Sequence, residues 1–438
     1  MPFRVTPPLA VVAAFAALGL ASLATGRRAA VGDPGVIKIV SSMPRSGSAR
    51  GQTDTIVNGI RLAIDAAGAK VETVDPATQQ PRTFKITYED LDDATAAAGQ
   101  WTIEQEIANA NQAKTDPDVM VYIGTYNSGA AKVSMPILNR ARMLMISPAN
   151  TAPALTKPGS GGRHEPACYR PALKTNPTPG VPVDDLRNRE VNFTRVIPTD
   201  DLQSANAAYW CRDLGAKQVY VLDDNELYGK GIADLFEKKC VEIGVKVLGH
   251  ESIDNKGQEF SSLMTRIKGM EPGLVYFGGT SQTKAGQLLK DLLKVGMSCP
   301  MMAPDGCYEQ AMIDSVEAKD WEKAKFYATF GGLPVEALTS DAGKRFVDKY
   351  VAKFGGPPKE AYATYGYECA ITALEAVRLA GVKDRDAIRR AGIGIQNFDG
   401  ATGRWSFDAN GDSTNQTMSG NVATAAGFKF VKPLVLPK

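Results

Sequence analysis

The chain has 438 residues, and 50 lysines and arginines nearly balance 48 aspartates and glutamates, a formal charge of +2. That length exceeds what one hydrophobic core organises and predicts two or more domains. The near-zero charge removes the electrostatic case for a nucleic-acid binder, the 44% hydrophobic and 22% charged content fits a globular chain rather than a disordered or multi-span membrane one, and 2 histidines, His164 and His250, leave little for a histidine-based metal or acid–base centre.

Arg4 precedes an apolar run from Leu9 to Leu23, and small residues lead on to Arg27 and Arg28. This order predicts a secretory signal peptide over residues 1–30 and hence export; the alternative is an uncleaved anchor. The run is shorter than the roughly 20 residues of a membrane span. The 6 cysteines contain no CxxC. Export allows some of them to pair, and buried free thiols are the other reading.

From residue 36 strands and helices alternate. Val36–Ser41 reads as a strand, and Gly51–Ala67 as a helix with Ile56, Ile60, Ala63, Ile64 and Ala67 on one face. Thr83–Tyr88, Val119–Ile123 and Met143–Ile146 read as strands, and Ala94–Lys114 and Ala130–Arg142 as helices. Lys157–Glu190 breaks the rhythm with six prolines and reads as a long surface excursion. The alternation resumes with strands at Asn192–Ile197, Gln218–Leu222, Val245–Glu251, Leu274–Phe277, Met301–Ala303 and Phe326–Thr329. Helices are expected between them, and again over Ala342–Phe354, Ala361–Ala380 and Asp384–Arg390. Phe398–Asn415 carries turn residues, and an extended segment follows near Asn421–Lys429. Such a βα rhythm predicts an α/β protein whose parallel sheets are covered by helices on both faces.

The chain lacks GxxxxGK[ST], HExxH and GxSxG, which removes the common phosphate-loop, zinc-protease and hydrolase readings. In open α/β sheets ligands bind at the carboxyl ends of strands. Those exits read Thr125-Tyr-Asn-Ser-Gly-Ala, Ser147-Pro-Ala-Asn-Thr, Asp223-Asp-Asn-Glu-Leu-Tyr-Gly, Gly278-Gly-Thr and Pro304-Asp-Gly. Asn127 and Ser128 suit the N-cap of the helix that follows, whose free N–H groups and positive dipole end suit an anion.

These exits resemble the type I periplasmic solute-binding proteins of ABC importers, branched-chain amino acid class. The similarity rests on Val121–Thr151, on VYVLDDNELYGKGIADLFEKK, on Val275–Gly279 and on Ala303–Gly306. It implies two Rossmann-like lobes joined by three crossover strands, with lobe 1 at 36–198 plus 331–399 and lobe 2 at 199–330 plus 400–438. It implies no enzymatic activity and no cofactor. The expected role is a periplasmic monomer that captures a small amino acid or amide in the cleft and passes it to a membrane permease. A sensory protein of the same fold, docking to a receptor, is the alternative.

Carried over residue by residue, the resemblance gives Ser128 and Thr151, with backbone groups at Ala149, to the ligand carboxylate. It gives Asp305 to the ammonium and Tyr228 to a contact from the second lobe. Thr280 and Arg50 stand where the family often has aromatics, and an arginine at the cleft would admit an anionic solute. Plainer roles stand beside each: a cap for Ser128, a local turn for Thr151, a Pro-Asp-Gly turn for Asp305, packing for Tyr228 and a solvated surface for Arg50.

Overall fold

The computed structural model describes residues 35–160, 169 and 191–437. The predicted signal peptide, His164, Cys168 and nearly all of the Pro-rich excursion lie outside the described residues. The first part of the chain forms β1 (Val36–Met43), α1 (Arg50–Ala66), β2 (Lys70–Val74), β3 (Pro81–Asp92), α2 (Ile103–Thr115), β4 (Val119–Gly124), α3 (Ser128–Arg140), β5 (Leu144–Ser147) and β6 (Phe193–Arg195). A second run follows as α4 (Asp200–Asp213), β7 (Gln218–Asp223), α5 (Leu227–Glu242), β8 (Lys246–Ser252), α6 (Ser261–Lys268), β9 (Leu274–Gly278), α7 (Ala285–Lys294), β10 (Met301–Ala303), α8 (Gln310–Asp314) and β11 (Phe326–Phe330). The chain closes with α9 (Asp341–Phe354), α10 (Tyr362–Ala380), α11 (Arg385–Ile393), β12 (Phe398–Gly400), β13 (Gly403–Trp405), β14 (Met418–Thr424) and β15 (Gly427–Leu434).

Two large sheets result. One has the order β2-β3-β1-β4-β5-β6, the other β15-β14-β11-β10-β9-β7-β8. Central strands β4, β5 and β9 are buried at every position, as expected where helices cover both faces. The sheets are mixed rather than wholly parallel: β2 pairs antiparallel with β3, and β14 and β15 add antiparallel strands beyond β11. β2 escaped the sequence reading because only Val71 of its five residues is fully buried, so no apolar alternation marks it.

The chain passes between the sheets three times: after β6, after β11 and before β14. Helices α10 and α11 return to the first sheet, and α10 crosses α1 closely because both helices carry glycine at the contact. A Cβ on Gly59 would overlap the carbonyl of Ala363, and one on Gly366 the carbonyl of Ile56. Helix α2 starts at Ile103, nine residues after the Ala94 expected, since Thr102 caps it by accepting from the Gln105 N–H at 3.3 Å. The freed loop brings Gln100 and Trp101 to the end of β1. The five described cysteines, Cys211, Cys240, Cys299, Cys307 and Cys369, are unpaired.

Residues 400–415, expected with lobe 2, are tied to the first sheet and its helices. The Ala401 N–H donates to Glu368 of α10 at 2.7 Å, and Arg195 at the end of β6 pairs with Asp412 at 2.7 Å. Only β14 and β15 of the last segment join the second sheet.

Candidate functional site

The carboxyl ends of β4 and β5 in one sheet face those of β7, β9 and β10 in the other across a cavity of about 290 Å³. Five of the seven predicted residues line it: Ser128, Ala149, Tyr228, Thr280 and Asp305. Tyr126 and Tyr362 complete the wall, their rings edge-on with centroids 6.1 Å apart.

One side of the cavity is formed by the start of α3 and the loop after β5. β4 ends at Gly124, and Asn127 takes the extended conformation of an N-cap before α3. Its side chain makes no capping bond, and its Oδ1 is buried without a hydrogen-bond partner. Ser128 is therefore the first helical residue rather than the cap. Its Oγ lies 3.4 Å from the Ala152 N–H. The first N–H groups of a helix have no acceptor within it, and the dipole there is positive. Beside them, the Ser147 hydroxyl accepts from the N–H groups of Ala149 (3.2 Å) and Asn150 (2.8 Å). Arg195, fully buried, locks this loop by donating to the carbonyls of Asn150 (3.0 Å) and Ala152 (2.9 Å) and to the Thr156 hydroxyl.

The opposite side carries Asp305, 1% exposed. Tyr228 donates to its Oδ1 at 2.5 Å, and Tyr362 donates to its Oδ2. Burial pushes this carboxyl up, and the tyrosine hydrogen bonds oppose the shift. Tyr228 is placed by a tight approach of backbones. A Cβ on Gly229 would overlap Asp224 Oδ1 and the Gly278 carbonyl, so the start of α5 sits directly on the end of β9 only with glycine there.

Two predicted residues fall elsewhere. Arg50 opens α1, is 66% exposed and pairs with Asp54 at 3.3 Å. It lines no part of the cavity, so the basis for expecting an anionic solute is gone. Thr151 is buried and is not part of the cavity wall; its carbonyl accepts from the Asp200 N–H at 2.9 Å, and its hydroxyl makes no hydrogen bond among the described residues. Asp200 itself, fully buried with neither carboxyl oxygen partnered among the described residues, escaped the sequence reading. Burial and the nearby Asp305 charge push its carboxyl well up. Tyr362 escaped too, since it opens α10, 57 residues after Asp305, and nothing local marks that return.

A second cavity, about 480 Å³, shares Asn127, Ser128, Tyr228 and Thr280 with the first and runs on toward Trp101 and Glu226. Among the described residues, no lysine, arginine or histidine lines either cavity. The cluster Asp234, Glu237 and His250 is spaced for a metal ion but lines neither cavity, and Glu237 (2.7 Å) and Asp223 (3.0 Å) engage the two His250 nitrogens.

Residues 36–422 match the family described as periplasmic binding protein. A Leu/Ile/Val-binding protein, BraC3, of Rhizobium johnstonii is 25% identical over 378 residues, covering 86% of this chain and 88% of that one. The crystal structure of the leucine binding protein LivK from Thermotoga maritima superposes with a TM-score of 0.73 at 22% identity, over 91% of this chain and 99% of that one. An ABC-transporter solute binding protein from R. palustris, crystallised with benzoate, gives 0.70 at 16% identity over 92% and 98%. These structures share the fold, and it holds chemically different ligands.

Proposed function

Since this chain belongs to the periplasmic binding protein family, we propose that it is an exported solute receptor that captures an α-amino acid between two lobes and delivers it to the membrane subunits of an ABC importer. The observation that carries the reading is a single cavity with the N-terminus of α3 on one wall and the buried Asp305 carboxyl on the other. An α-amino acid has its two charges a few ångströms apart, and this cavity offers a partner for each. Hydrogen bonds to charged groups contribute about 1.5–3 kcal/mol apiece. Three or four of them approach the roughly 8 kcal/mol of micromolar binding. The name of the Rhizobium relative supports the same solute class.

Lobe 1 in this reading comprises 36–198 and 331–417, and lobe 2 comprises 199–330 and 418–434. Bonds between the two favour a closed clamp: Tyr362 to Asp305, Gln52 Nε2 to the Tyr308 carbonyl at 3.5 Å, and the Gln310 N–H to Glu360 at 3.0 Å. A ligand that bridges both walls stabilises this state over an open one. The receptor acts in the periplasm as a monomer.

Calorimetry with L-leucine, leucine methyl ester, which lacks the carboxylate charge, and 4-methylpentanoic acid, which lacks the ammonium, tests the reading. The free amino acid should bind, and removing either charge should cost tenfold or more. Equal affinity for the ester would refute the role given to α3.

A further inference from the structure

The cavity between Ser128 and Asp305 accounts for the head of an amino acid but not for the annex that continues from it, a cleft of about 480 Å³ counted with the solvent at its mouth. The passage between the two runs past Thr280, a small side chain that is 7% exposed. Beyond it the walls present acceptors. Asn127 Oδ1 is buried and unpartnered. Gln282 gives its Nε2 to Glu309 at 2.5 Å, which leaves its carbonyl oxygen available. Glu226 stands half-buried at the N-cap of α5, with Asn255 Nδ2 at 3.3 Å from Oε1 and no cation within 4.0 Å among the described residues. The other annex acid, Asp224, is already committed to the Glu226 N–H at 3.0 Å and the Thr283 hydroxyl at 2.8 Å. Trp101 forms an aromatic wall held so close to α3 that a Cβ on Gly129 would overlap its indole.

Solvent, the Asn255 amide and the positive end of α5 hold this carboxylate in its charged form, and a cation entering the annex would find in it an acid without a counter-ion. Burial pushes the Glu226 carboxyl up, as expected of a group lacking that partner. Among the described residues the annex has no cationic side chain of its own to pair with Glu226, since no lysine, arginine or histidine lines it.

We propose that the annex binds the cationic tail of the ligand, so that the solute class is basic amino acids, with Glu226 as the counter-charge, Asn127 and Gln282 as acceptors and Trp101 covering the alkyl stem. This rests on the amino-acid reading above and narrows it. The head stays between α3 and Asp305, and the tail passes Thr280.

The test is calorimetry of L-arginine, L-lysine, L-leucine, L-glutamate and agmatine, which is arginine without its carboxylate, on the wild-type chain and on Glu226→Gln, Glu226→Asp and Thr280→Tyr. Arginine or lysine should bind at least tenfold more tightly than leucine, and glutamate most weakly. Glu226→Gln should lower the ratio of arginine to leucine affinity by about tenfold, and Glu226→Asp should retain most of that ratio. Thr280→Tyr, which fills the passage, should lower the same ratio. Leucine binding as tightly as arginine in the wild type, or Glu226→Gln weakening both equally, would overturn the proposal. Agmatine binding while every amino acid fails would keep the annex and refute the amino-acid reading; failure of agmatine and all amino acids together would overturn both.

Discussion

Replacing Asp305 with asparagine separates the fold from the ligand site. The side chain is 1% exposed and keeps its volume on this change. In the protein alone it meets two tyrosine hydroxyls, Tyr228 at 2.5 Å and Tyr362, and no cation among the described residues. A hydroxyl both donates and accepts. One tyrosine can therefore continue to donate to the amide oxygen while the other turns to accept from the amide nitrogen. Removing a buried, uncompensated charge also relieves a desolvation penalty, the effect that pushes this carboxyl up. The variant should melt no lower than the wild type. Binding is another matter, because the ammonium of an amino acid loses its only charged partner in the cavity. One charged hydrogen bond is about 1.5–3 kcal/mol, which is roughly a 10- to 150-fold loss of affinity. Calorimetry with L-leucine and L-arginine reads that loss, and a thermal melt of the unliganded variant reads the fold. Affinity within threefold of the wild type would refute the ammonium role. A large fall in melting temperature would show that Asp305 is chiefly a strut between the two tyrosines.

Two further outcomes follow from groups outside the cavity. Arg195→Met takes from Asp412 its close cation, leaving the Thr156 hydroxyl at 3.0 Å and Lys157 at 3.9 Å, and frees the carbonyls of Asn150 and Ala152, so it should cost about 3 kcal/mol in urea unfolding, the low end for a broken buried pair; a loss below about 1 kcal/mol would show that the loop holds itself. Asp93 and Glu106 are buried together beneath α2, and burial pushes both carboxyls up. Their protonated forms are favoured in the fold, so the stability they contribute is complete below the ordinary carboxyl range near pH 4 and is lost as pH rises through their higher folded values. The urea midpoint should fall between pH 5 and pH 8, and Glu106→Gln should flatten that fall; an equally steep profile in the variant would assign the effect elsewhere.

The parts of the site legible in the sequence are those set by local rules. Ser128, Ala149, Tyr228, Thr280 and Asp305 each follow a buried strand within a few residues, so the strand exits marked the segments and the family resemblance picked the residues within them. What stayed hidden depends on long-range returns. Tyr362 reaches the cavity only because α10 crosses back over α1, and Trp101 only because Thr102 delays α2. Asp200 sits in Pro-Thr-Asp, which reads as an ordinary helix start, and only the packed structure reveals a fully buried acid. Arg50 went astray for the opposite reason. At the first turn of a helix a long cation reaches solvent and a neighbouring acid more easily than a cleft.

The triple passage between the sheets also governs the order of synthesis. Strands β1–β6 leave the ribosome first, yet the face they present to α10 and α11 stays bare until residue 393 has been made. About 130 residues of the second sheet and its helices, 199–330, are translated in between. The first half therefore cannot mature as it emerges, and its apolar surface waits for a distant helix. A chain that completes its folding only after its last third is available is suited to crossing a membrane while still unfolded.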